Sequence, residues 1–457
     1  MKYFIDTITA LHAPKETPKN HGIAQLLQER CLALLPYGVV ALLLFNIVIA
    51  LQFLSRVYTL VLSCVLGACL LFLLMLQRVE SASSRVRARK HLEIDVADLL
   101  ERGVVPLETS EARSALKGRV ILVSGAAGSI GMELCRQLLD YEPALLIALD
   151  MNETGLFDLV EGLRSRAHPQ IAHLYPFIGD ITDMQRMTRL FAEKSPDIVF
   201  HAAAYKHVPM LEEYPDLAIR TNVLGTYRLC CLAQEYGVAR FVFISTDKAT
   251  EPVSVLGATK RVGEMIVEAL AKSTQSPTRF CSVRFGNVIG SRGSVVPIFT
   301  QQIEQGGPLT VTDPEATRYF MTIPEACELV ILTSVIAEQG GLYLLNMGHP
   351  VRILDLALKM IRLSGLREGR DIGVVYTGLR PGERLHETLI AVDEELIPTA
   401  NSKILGVMNK RSMPTLATII QWMGSLEVSL QQEDVVQQRA HLFEIVRDRK
   451  LLSASIN

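Results

Sequence analysis

Short apolar runs alternate with helix-length segments from residue 117 onward, and this alternation restricts the fold more than any other feature. Segments such as 132–140 and 184–193 separate the runs and are long enough to form helices. Strands separated by helices in this way form parallel sheets that are covered on both faces. The runs lie at residues 119–124, 144–149, 171–178, 197–202, 241–245 and 280–285. The sequence therefore predicts an α/β fold built on a doubly wound parallel sheet.

A glycine run, Gly125, Gly128 and Gly131, follows the first apolar run and opens the first predicted helix. Glycine at this spacing lets the chain turn tightly and brings backbone N–H groups close to a pyrophosphate at the positive end of the helix. Asp150 ends the second predicted strand, where a carboxylate can bind the adenosine ribose or simply cap a turn. A carboxylate repels a 2′-phosphate, so a Rossmann-type site for NAD is predicted, and NADP stays possible.

The other residues assigned to the cofactor site follow the same strands. Asp180 follows the third run after Gly179, where it can hold the adenine amino group or act as a helix N-cap. The remaining residues in this assignment are Ala127, Ser129, Ile130, Ile181, Ala202, Ala203 and Lys260.

Two long uncharged stretches, residues 31–55 and 57–77, lie near the N-terminus and are separated by Arg56. About 20 helical residues cross the ~30 Å hydrocarbon layer of a membrane, so each stretch can span it. We therefore expect a transmembrane helical hairpin, with a buried helical pair as the alternative. Basic residues flank both ends, which places the catalytic region in the cytoplasm, at the inner membrane.

The charge balance argues against nucleic-acid binding. Lys plus Arg number 46 and Asp plus Glu number 48, so the formal net charge is −2. The eight cysteines show no metal-binding spacing, and we expect reduced thiols and no metal site.

The chain of 457 residues is long enough for more than one domain. After residue 290 the alternation is lost, and Gly-Pro and Arg-Pro-Gly sequences indicate a smaller C-terminal substrate-binding domain. The predicted organisation is an N-terminal cytoplasmic segment (1–30), the hairpin (31–78), a linker (79–116), the Rossmann domain (117–290), a substrate-binding region (291–400) and a C-terminal helical segment (401–457).

Eight motifs resemble those of the extended short-chain dehydrogenases/reductases, and in particular the CapD-like, membrane-bound UDP-N-acetylglucosamine 4,6-dehydratases of surface polysaccharide and glycan synthesis. The resemblance implies an NAD-dependent enzyme that acts on a UDP-sugar, and we expect it to be a homo-oligomer. The motifs lie at residues 125–131, 200–209, 221–226, 244–249, 257–261, 283–288, 317–322 and 377–383.

The resemblance also implies roles for three residues after the fifth predicted strand. A 4,6-dehydratase takes a hydride from sugar C4, removes the C5 proton, expels the C6 hydroxyl as water and returns the hydride to C6. Thr246 would bind the oxygen at C4, and Asp247, its pKa raised by burial, would protonate the leaving hydroxyl. Lys248 would be the C5 base, its pKa lowered by burial and nearby cations. A polar turn with a solvated lysine is the alternative.

One position departs from the usual pattern of these enzymes. The superfamily normally carries Tyr-x-x-x-Lys, in which the lysine holds the nicotinamide ribose; Lys260 is present, but Leu256 occupies the tyrosine position. Membrane-bound dehydratases often have methionine there, so the missing tyrosine fits that subgroup. The C4 hydroxyl proton would then leave through Asp247, Lys248 or a water, and Tyr205 is a further candidate.

The remaining motifs imply contacts with the UDP part of the substrate. Guanidinium groups suit phosphate oxygens because they form paired, charged hydrogen bonds. Glu383 either orients Arg380 or contacts the ribose. The residues assigned to the substrate are Lys206, His207, Asn222, Asn287, Arg318, Arg380 and Glu383.

Three functions remain open from the sequence. A 4,6-dehydratase explains the adjacent Asp247 and Lys248. A nucleotide-sugar 4-epimerase shares the fold and cofactor but would ordinarily rely on a tyrosine at position 256. A membrane-tethered sugar-nucleotide sensor without catalytic activity is the third possibility.

Overall fold

The computed structural model describes residues 110–273, 277–410, 412–432 and 434–447, together with residues 30, 33, 34, 36–44, 66–73, 75 and 99. The chain divides into two compact units, Met1–Ser83 and Ser84–Asn457. All the residues assigned to the cofactor, the reaction and the substrate belong to the second unit.

The first unit contains two described helical stretches, residues 36–44 and 66–73, whose large apolar side chains are exposed. Among the described residues, no helix has the length and apolar character needed to cross a membrane. Residues 45–65, in the middle of the predicted hairpin, lie outside the described residues, as do residues 1–29. The hairpin over residues 31–78 therefore stays a prediction.

The second unit is organised around a large sheet, with several short strand pairs beside it. The described strands are β1 (Val120–Ser124), β2 (Leu145–Asp150), β3 (Leu174–Ile178), β4 (Ile198–His201), β5 (Arg240–Ile244), β6 (Arg279–Arg284), β7 (Asn287–Val288), β8 (Leu309–Val311), β9 (Thr317–Arg318), β10 (Phe320–Met321), β11 (Gly341–Leu345), β12 (Val351–Arg352), β13 (Val374–Tyr376), β14 (Glu394–Pro398) and β15 (Ile404–Asn409).

The large sheet has the strand order β14-β15-β11-β6-β5-β4-β1-β2-β3. Strands β1 to β6 and β11 pair in parallel, whereas β15 and β14 extend the sheet with antiparallel pairs. The order 3-2-1-4-5-6 is that of a Rossmann-type doubly wound sheet, so the predicted fold class is confirmed for this unit. The six apolar runs correspond to β1 to β6, with ends that differ by at most three residues.

Helices cover both faces of this sheet. The described helices are α1 (Ser110–Leu116), α2 (Ser129–Asp140), α3 (Glu153–Ser165), α4 (Met184–Lys194), α5 (Val208–Glu213), α6 (Pro215–Ala218), α7 (Thr226–Glu235), α8 (Val255–Ala271), α9 (Val295–Gln305), α10 (Ile323–Ile336), α11 (Ile353–Leu363), α12 (Leu416–Ser429) and α13 (Val435–Arg447). Short 3-10 helices form at Ile171–His173 and Asp247–Ala249, and a π-helix at Ile219–Gly225.

Two hydrophobic cores lie on opposite faces of the sheet because successive strand residues point in opposite directions. Leu122 of β1 packs in the core formed with α4, α7, α8, α12 and α13. Its neighbours Ile121 and Val123 pack in the core formed with α1, α2, α3 and α10. In the sheet, Leu122 lies between Ile147 of β2 and Val199 of β4. Strands that are buried on both faces explain the continuous apolar runs.

The structure differs from the predicted domain boundaries in two places. The sequence prediction placed helix α1 in the linker, but its fully buried residues Ala112 and Leu116 belong to the hydrophobic core on one face of the sheet. The sequence prediction placed the residues of β14 in the substrate-binding region and those of β15 in the C-terminal helical segment, but both strands belong to the large sheet. Edge strands carry too little local pattern for this to be read from the sequence. A third, smaller core between α9, α11 and β8 contains Phe299 and Met360 and belongs to the region after residue 290.

Candidate active site

The loop between β1 and α2 requires glycine at two positions. Gly125 has a φ of +75°, and a Cβ there would lie 2.6 Å from the backbone nitrogen of Ala203. A Cβ on Gly131 would lie 2.0 Å from the carbonyl oxygen of Gly125. Gly128 precedes α2 and provides no side-chain cap, so the first N–H groups of the helix are available to an anion.

A cleft of about 220 Å³ lies beside this loop. Its walls come from the segments that follow β1, β2, β3 and β4, at the carboxyl end of the sheet, where doubly wound folds bind ligands. Tyr205 also lines the cleft, and its side chain is partly exposed. Seven of the residues assigned to the cofactor line it: Gly125, Gly128, Asp150, Asp180, Ile181, Ala202 and Ala203.

Asp150 both faces this cleft and holds the glycine loop. Its Oδ2 accepts a hydrogen bond from the backbone N–H of Ala127 at 2.9 Å, and its Oδ1 accepts from that of Asn152 at 2.9 Å. The two roles considered for this carboxylate, a ribose contact and a turn cap, are therefore compatible. Ser129 has a structural contact as well, because its Oγ accepts from the backbone N–H of Arg292 at 3.0 Å. Ile130 packs against a sheet core.

Asp180 lies in the cleft but does not cap a helix. Its Oδ1 accepts from the backbone N–H of Thr182 at 2.8 Å, which forms a local turn. The N-cap of α4 is Asp183, whose Oδ1 accepts from the backbone N–H of Arg186 at 3.0 Å. The N-cap alternative for Asp180 is therefore wrong.

The predicted catalytic residues Thr246, Asp247 and Lys248 form a polar turn that follows β5, and we call this turn the catalytic turn. Thr246 caps the short 3-10 helix that starts at Asp247, and its hydroxyl donates to Asp247 Oδ1 at 2.9 Å. The other carboxylate oxygen, Asp247 Oδ2, is buried and has no hydrogen-bond partner among the described residues. A buried acceptor without a donor is costly unless something binds it. Asp247 Oδ2 is thus an unpaired acceptor among the described residues, on a side chain with 0% exposure.

The structure corrects the prediction for the ionisation of Lys248. Burial alone lowers the pKa of this lysine, but the negative charges of Asp247 and Glu387 outweigh that effect, so its pKa is raised. The Lys248 Nζ lies 3.1 Å from Asp247 Oδ1, 3.1 Å from Glu387 Oε1 and 3.1 Å from Asn287 Oδ1. Lys248 is therefore an ammonium ion in this state.

Lys260 lies on α8 beneath the same turn. Its Nζ donates to the carbonyl oxygen of Ile244 at 2.8 Å and lies 4.6 Å from the centre of the Phe243 ring. Burial lowers the pKa of Lys260 to about 8, although the nearby Glu264 opposes this. Leu256, at the position of the usual tyrosine, is buried in a sheet core, so it offers packing and no proton transfer.

Asn222 has a structural role in the protein. This side chain is buried, and it accepts from the backbone N–H of Tyr205 at 2.9 Å and donates to the Tyr205 carbonyl oxygen at 3.0 Å. It also donates to the hydroxyl of Thr259 at 3.2 Å. Its polar atoms are hydrogen-bonded within the protein, so Asn222 fixes the loop that carries Tyr205, and its assignment to the substrate stays a prediction.

The other residues assigned to the substrate lie in different parts of the site. Arg318 donates to the carbonyl oxygen of Leu385 at 3.0 Å and lies 3.5 Å from Glu387 Oε1, so it adjoins the catalytic turn, as does Asn287. Arg380 is exposed, and its Nε donates to Glu383 Oε1 at 2.9 Å, which fits the orienting role for that glutamate.

Lys206 and His207 lie near the glycine loop instead. The Lys206 Nζ donates to the carbonyl oxygen of Arg292 at 2.8 Å, and the Arg292 guanidinium donates to the carbonyl oxygen of Ala127 at 3.0 Å. The pKa of Lys206 is lowered by burial and by Arg292, and that of His207 by burial and by Lys206.

A buried ion-pair network lies behind the catalytic turn. Arg284 is fully buried, and its guanidinium binds both Glu264 of α8 and Glu394 of β14. The hydroxyl of Ser245 donates to Glu264 Oε1 at 2.6 Å, and Arg284 donates to the hydroxyl of Thr250 at 3.2 Å. Because Ser245 and Thr250 flank the turn on either side, this network holds both of its ends.

Sequence reasoning missed Glu387, Arg292 and the Arg284 network. A charged residue at an inward position of the apolar run 280–285 is a signal that would have identified Arg284. Arg292 follows the motif at 283–288 closely. Glu387 is one of several carboxylates in an irregular segment, and nothing in its local sequence distinguishes it.

The sheet order, the glycine turn and the cleft define the chain as a protein with the fold of the short-chain dehydrogenases/reductases. It belongs to the polysaccharide biosynthesis protein family, whose model matches residues 121–409. The chain is 47% identical over 302 residues to the capsular polysaccharide biosynthesis protein CapD of Staphylococcus aureus, over 66% of this chain and 50% of that protein. It therefore spans about half the length of that relative.

Two further comparisons concern proteins of stated activity. The chain is 34% identical over 280 residues to the UDP-N-acetylglucosamine 4,6-dehydratase (inverting) of Campylobacter jejuni, over 61% of this chain and 79% of that protein. Among solved structures, the UDP-glucose 4-epimerase of Thermus thermophilus in complex with NAD is 26% identical with a TM-score of 0.51, over 59% of this chain and 89% of that one. The predicted family is thereby confirmed.

Proposed function

We propose that this chain is an NAD-dependent UDP-N-acetylglucosamine 4,6-dehydratase that forms a UDP-4-keto-6-deoxy sugar for surface polysaccharide or glycan synthesis. One observation carries the proposal: Asp247, with a buried oxygen that has no donor in the described part of the chain, adjoins Lys248 at the carboxyl end of β5. Loss of water needs an acid and a base together, whereas hydride transfer at C4 alone does not require this pair. The similarity to the Campylobacter jejuni dehydratase adds support.

The cleft fits NAD. The absence of side chains at Gly125 and Gly131 lets the backbone approach a pyrophosphate, and Asp150 faces the cleft where its carboxylate would accept ribose hydroxyls. The Thermus thermophilus epimerase of similar fold contains NAD. When bound, NAD would take the hydride from C4 and return it to C6, so it would not be consumed. Lys260, beneath the catalytic turn, is proposed to hold the nicotinamide ribose.

Asp247 can move a proton between two substrate hydroxyls. Its Oδ1 is held by Thr246, which leaves Oδ2 to accept the proton of the C4 hydroxyl as C4 is oxidised. The same oxygen would then give this proton to the C6 hydroxyl, which leaves as water. This route needs no tyrosine at Leu256. Lys248 would remove the proton from C5 and later restore it.

The UDP part of the substrate is proposed to lie between two groups of residues, one near the glycine loop and one beside the catalytic turn. Lys206 and His207 stand near the glycine loop, and Arg318 stands beside the catalytic turn. Arg380, oriented by Glu383, is exposed and available to phosphate or ribose oxygens.

A membrane hairpin at residues 31–78, with the catalytic unit in the cytoplasm, is also proposed, as is assembly into a homo-oligomer. The uncharged stretches and their basic flanks support the hairpin. Fractionation of cells that express the full chain should place it with the inner membrane, and deletion of residues 31–78 should release it. Light scattering of the purified protein measures the number of subunits.

The experiment is to incubate the purified full chain with UDP-N-acetylglucosamine and NAD and to measure product mass. Loss of one water supports the dehydratase. An isomer of unchanged mass would support a 4-epimerase, and binding without turnover would support a sensor.

Lys248→Ala should reduce water loss by roughly a hundredfold or more and leave NAD binding largely intact, because this lysine is the proposed base. Lys410→Ala is the matched control, since it removes an exposed lysine that is paired with Glu395. Full activity of Lys248→Ala would exclude the proposed base.

A further inference from the structure

Glu387 is a third ionisable residue next to the catalytic turn, in addition to Asp247 and Lys248. Its side chain is only 6% exposed, although it lies in an irregular segment between β13 and β14. The segment is fixed against β9: the backbone N–H of Thr317 donates to the carbonyl oxygen of Leu385 at 3.0 Å, and the hydroxyl of Thr317 lies 2.9 Å from His386 Nδ1. Glu387 is thus held in place at the lysine.

Three acceptor oxygens surround the ammonium group of Lys248. An ammonium group has three donors and no acceptor. The three acceptors within 3.1 Å are Asp247 Oδ1, Asn287 Oδ1 and Glu387 Oε1. Lys248 therefore donates two hydrogen bonds and forms an ion pair with Glu387, and it must lose a proton before it can act as a base.

The three acceptors differ in what they can do with that proton. The amide oxygen of Asn287 is not basic. Asp247 is occupied, in the proposed function, with the protons of the C4 and C6 hydroxyls. Glu387 is the acceptor that remains, and among the described residues the charged groups in ion-pair contact with it are Lys248 and Arg318.

We propose that Glu387 takes a proton from Lys248 when substrate binds, and so converts the lysine into the C5 base. This inference rests on the proposed function. The N–H bond of the ammonium breaks and an O–H bond forms on the Glu387 carboxylate, which leaves a neutral amine and a neutral acid. The amine then takes the C5 proton, returns it to C5 after water has left, and recovers its own proton from Glu387. No oxidant or further reactant is required.

Arg318 links this transfer to substrate binding. Its Nε lies 3.5 Å from Glu387 Oε1, so its charge stabilises the ionised carboxylate in the present state. A substrate diphosphate that attracts Arg318 would weaken this contact, and the sugar would exclude water from the turn. Both changes favour the neutral amine and neutral acid of Lys248 and Glu387 over their ion pair, because charged groups are costly in a site without water.

The test is the pH dependence of kcat for the full chain and its Glu387→Gln variant, with UDP-N-acetylglucosamine and NAD. Glutamine keeps the shape and cannot hold the proton. We expect kcat of the variant to fall roughly a hundredfold at pH 7 and to recover about tenfold per pH unit above it, with KM little changed. The wild-type protein should show a flat profile across this range. Glu387→Asp should restore the flat profile at a lower kcat.

A purely structural role for Glu387 predicts a loss that is the same at every pH, and this result would overturn the proposal. Activity of Glu387→Gln at pH 7 equal to or above that of the wild type would overturn it as well. Glu395→Gln is the matched control, because it breaks an exposed 3.1 Å pair with Lys410 and should leave the profile unchanged.

A second measurement separates this inference from the proposed function. Trace labelling with acetic anhydride, followed by mass spectrometry of the Lys248 peptide, reports the pH at which this lysine loses its proton. Loss of a neighbouring negative charge should lower the labelling midpoint in Glu387→Gln by roughly one pH unit or more. If the wild type forms no keto sugar, the proposed function fails, but the labelling experiment still tests the role of Glu387. A lowered labelling midpoint in Glu387→Gln supports control of the Lys248 pKa by Glu387. An unchanged midpoint overturns it.

Discussion

Replacing Arg284 with methionine should strongly destabilise the protein, because its guanidinium neutralises two buried carboxylates. It donates to Glu264 at 2.6 and 2.7 Å and to Glu394 at 2.8 and 2.9 Å, and all three side chains are almost completely buried. Removal of one partner from a buried ion pair costs about 3–5 kcal/mol. The free energy of unfolding should therefore fall by about 3–5 kcal/mol.

A second substitution should recover part of this loss. Glu264 and Glu394 are balanced by Arg284 and by Arg261, which lies 3.1 Å from Glu264 and 3.6 Å from Glu394. Arg284→Met leaves this network with one excess negative charge, and addition of Glu394→Gln makes it neutral again. The double variant should therefore be more stable than Arg284→Met alone, by about 1–3 kcal/mol.

Urea unfolding measures both effects. Trp422, the single tryptophan of the chain, is buried on α12 in a sheet core and reports unfolding by its fluorescence. The dependence of the free energy on urea should keep the same slope in all variants. Arg352→Met is the control, since it breaks an exposed pair with Asp355 and should leave the midpoint unchanged. A double variant less stable than Arg284→Met would refute the charge-compensation argument.

The remaining predictions concern the cofactor loop and a buried histidine. Gly131→Ala should lower the affinity for NAD, measured by calorimetry, at least about tenfold, because its Cβ would collide with the Gly125 carbonyl oxygen. Gly162→Ala is the control and should keep the affinity of the wild type, because a Cβ at Gly162 meets no atom within 4 Å. Equal affinities of the two variants would contradict the loop geometry. Burial lowers the pKa of His201 to about 3, from about 6.5 in the unfolded chain, so its stabilising contribution is complete above pH 6.5 and is lost as the pH falls toward 3. The free energy of unfolding should drop by about 2 kcal/mol more between pH 7 and pH 5 in the wild type than in His201→Gln, and equal drops would show that this histidine is not responsible.

The fold and the cofactor cleft could be predicted largely from the sequence. Strands β1 to β6 are buried on both faces, so each is a compact apolar run between helices, and their carboxyl ends necessarily meet at one edge of the sheet. Gly125, Asp150 and Asp180 lie at or just beyond the carboxyl ends of β1, β2 and β3, and all three line the cleft. Position along the chain therefore determined position in space for these residues.

The ionisation of the catalytic turn could not be obtained in this way. The sequence places Asp247 beside Lys248, but the carboxylate that completes the pair comes from Glu387, in an irregular segment far along the chain. Burial lowers the pKa of Lys248, but Asp247 and this carboxylate together raise it above its usual value. Likewise, Glu394 reaches Arg284 only because β14 joins the same sheet.

The sequence by itself thus determined the parallel sheet, the glycine turn and the adjacency of Asp247 and Lys248 after β5, because each depends on neighbours within a few residues. Only the tertiary structure decided which charges surround that pair, that Asn222 supports a loop, and that Asp247 Oδ2 lacks a donor among the described residues. Electrostatic interactions act through space over a few ångströms, irrespective of chain distance, so the protonation state of the site is a property of the folded molecule.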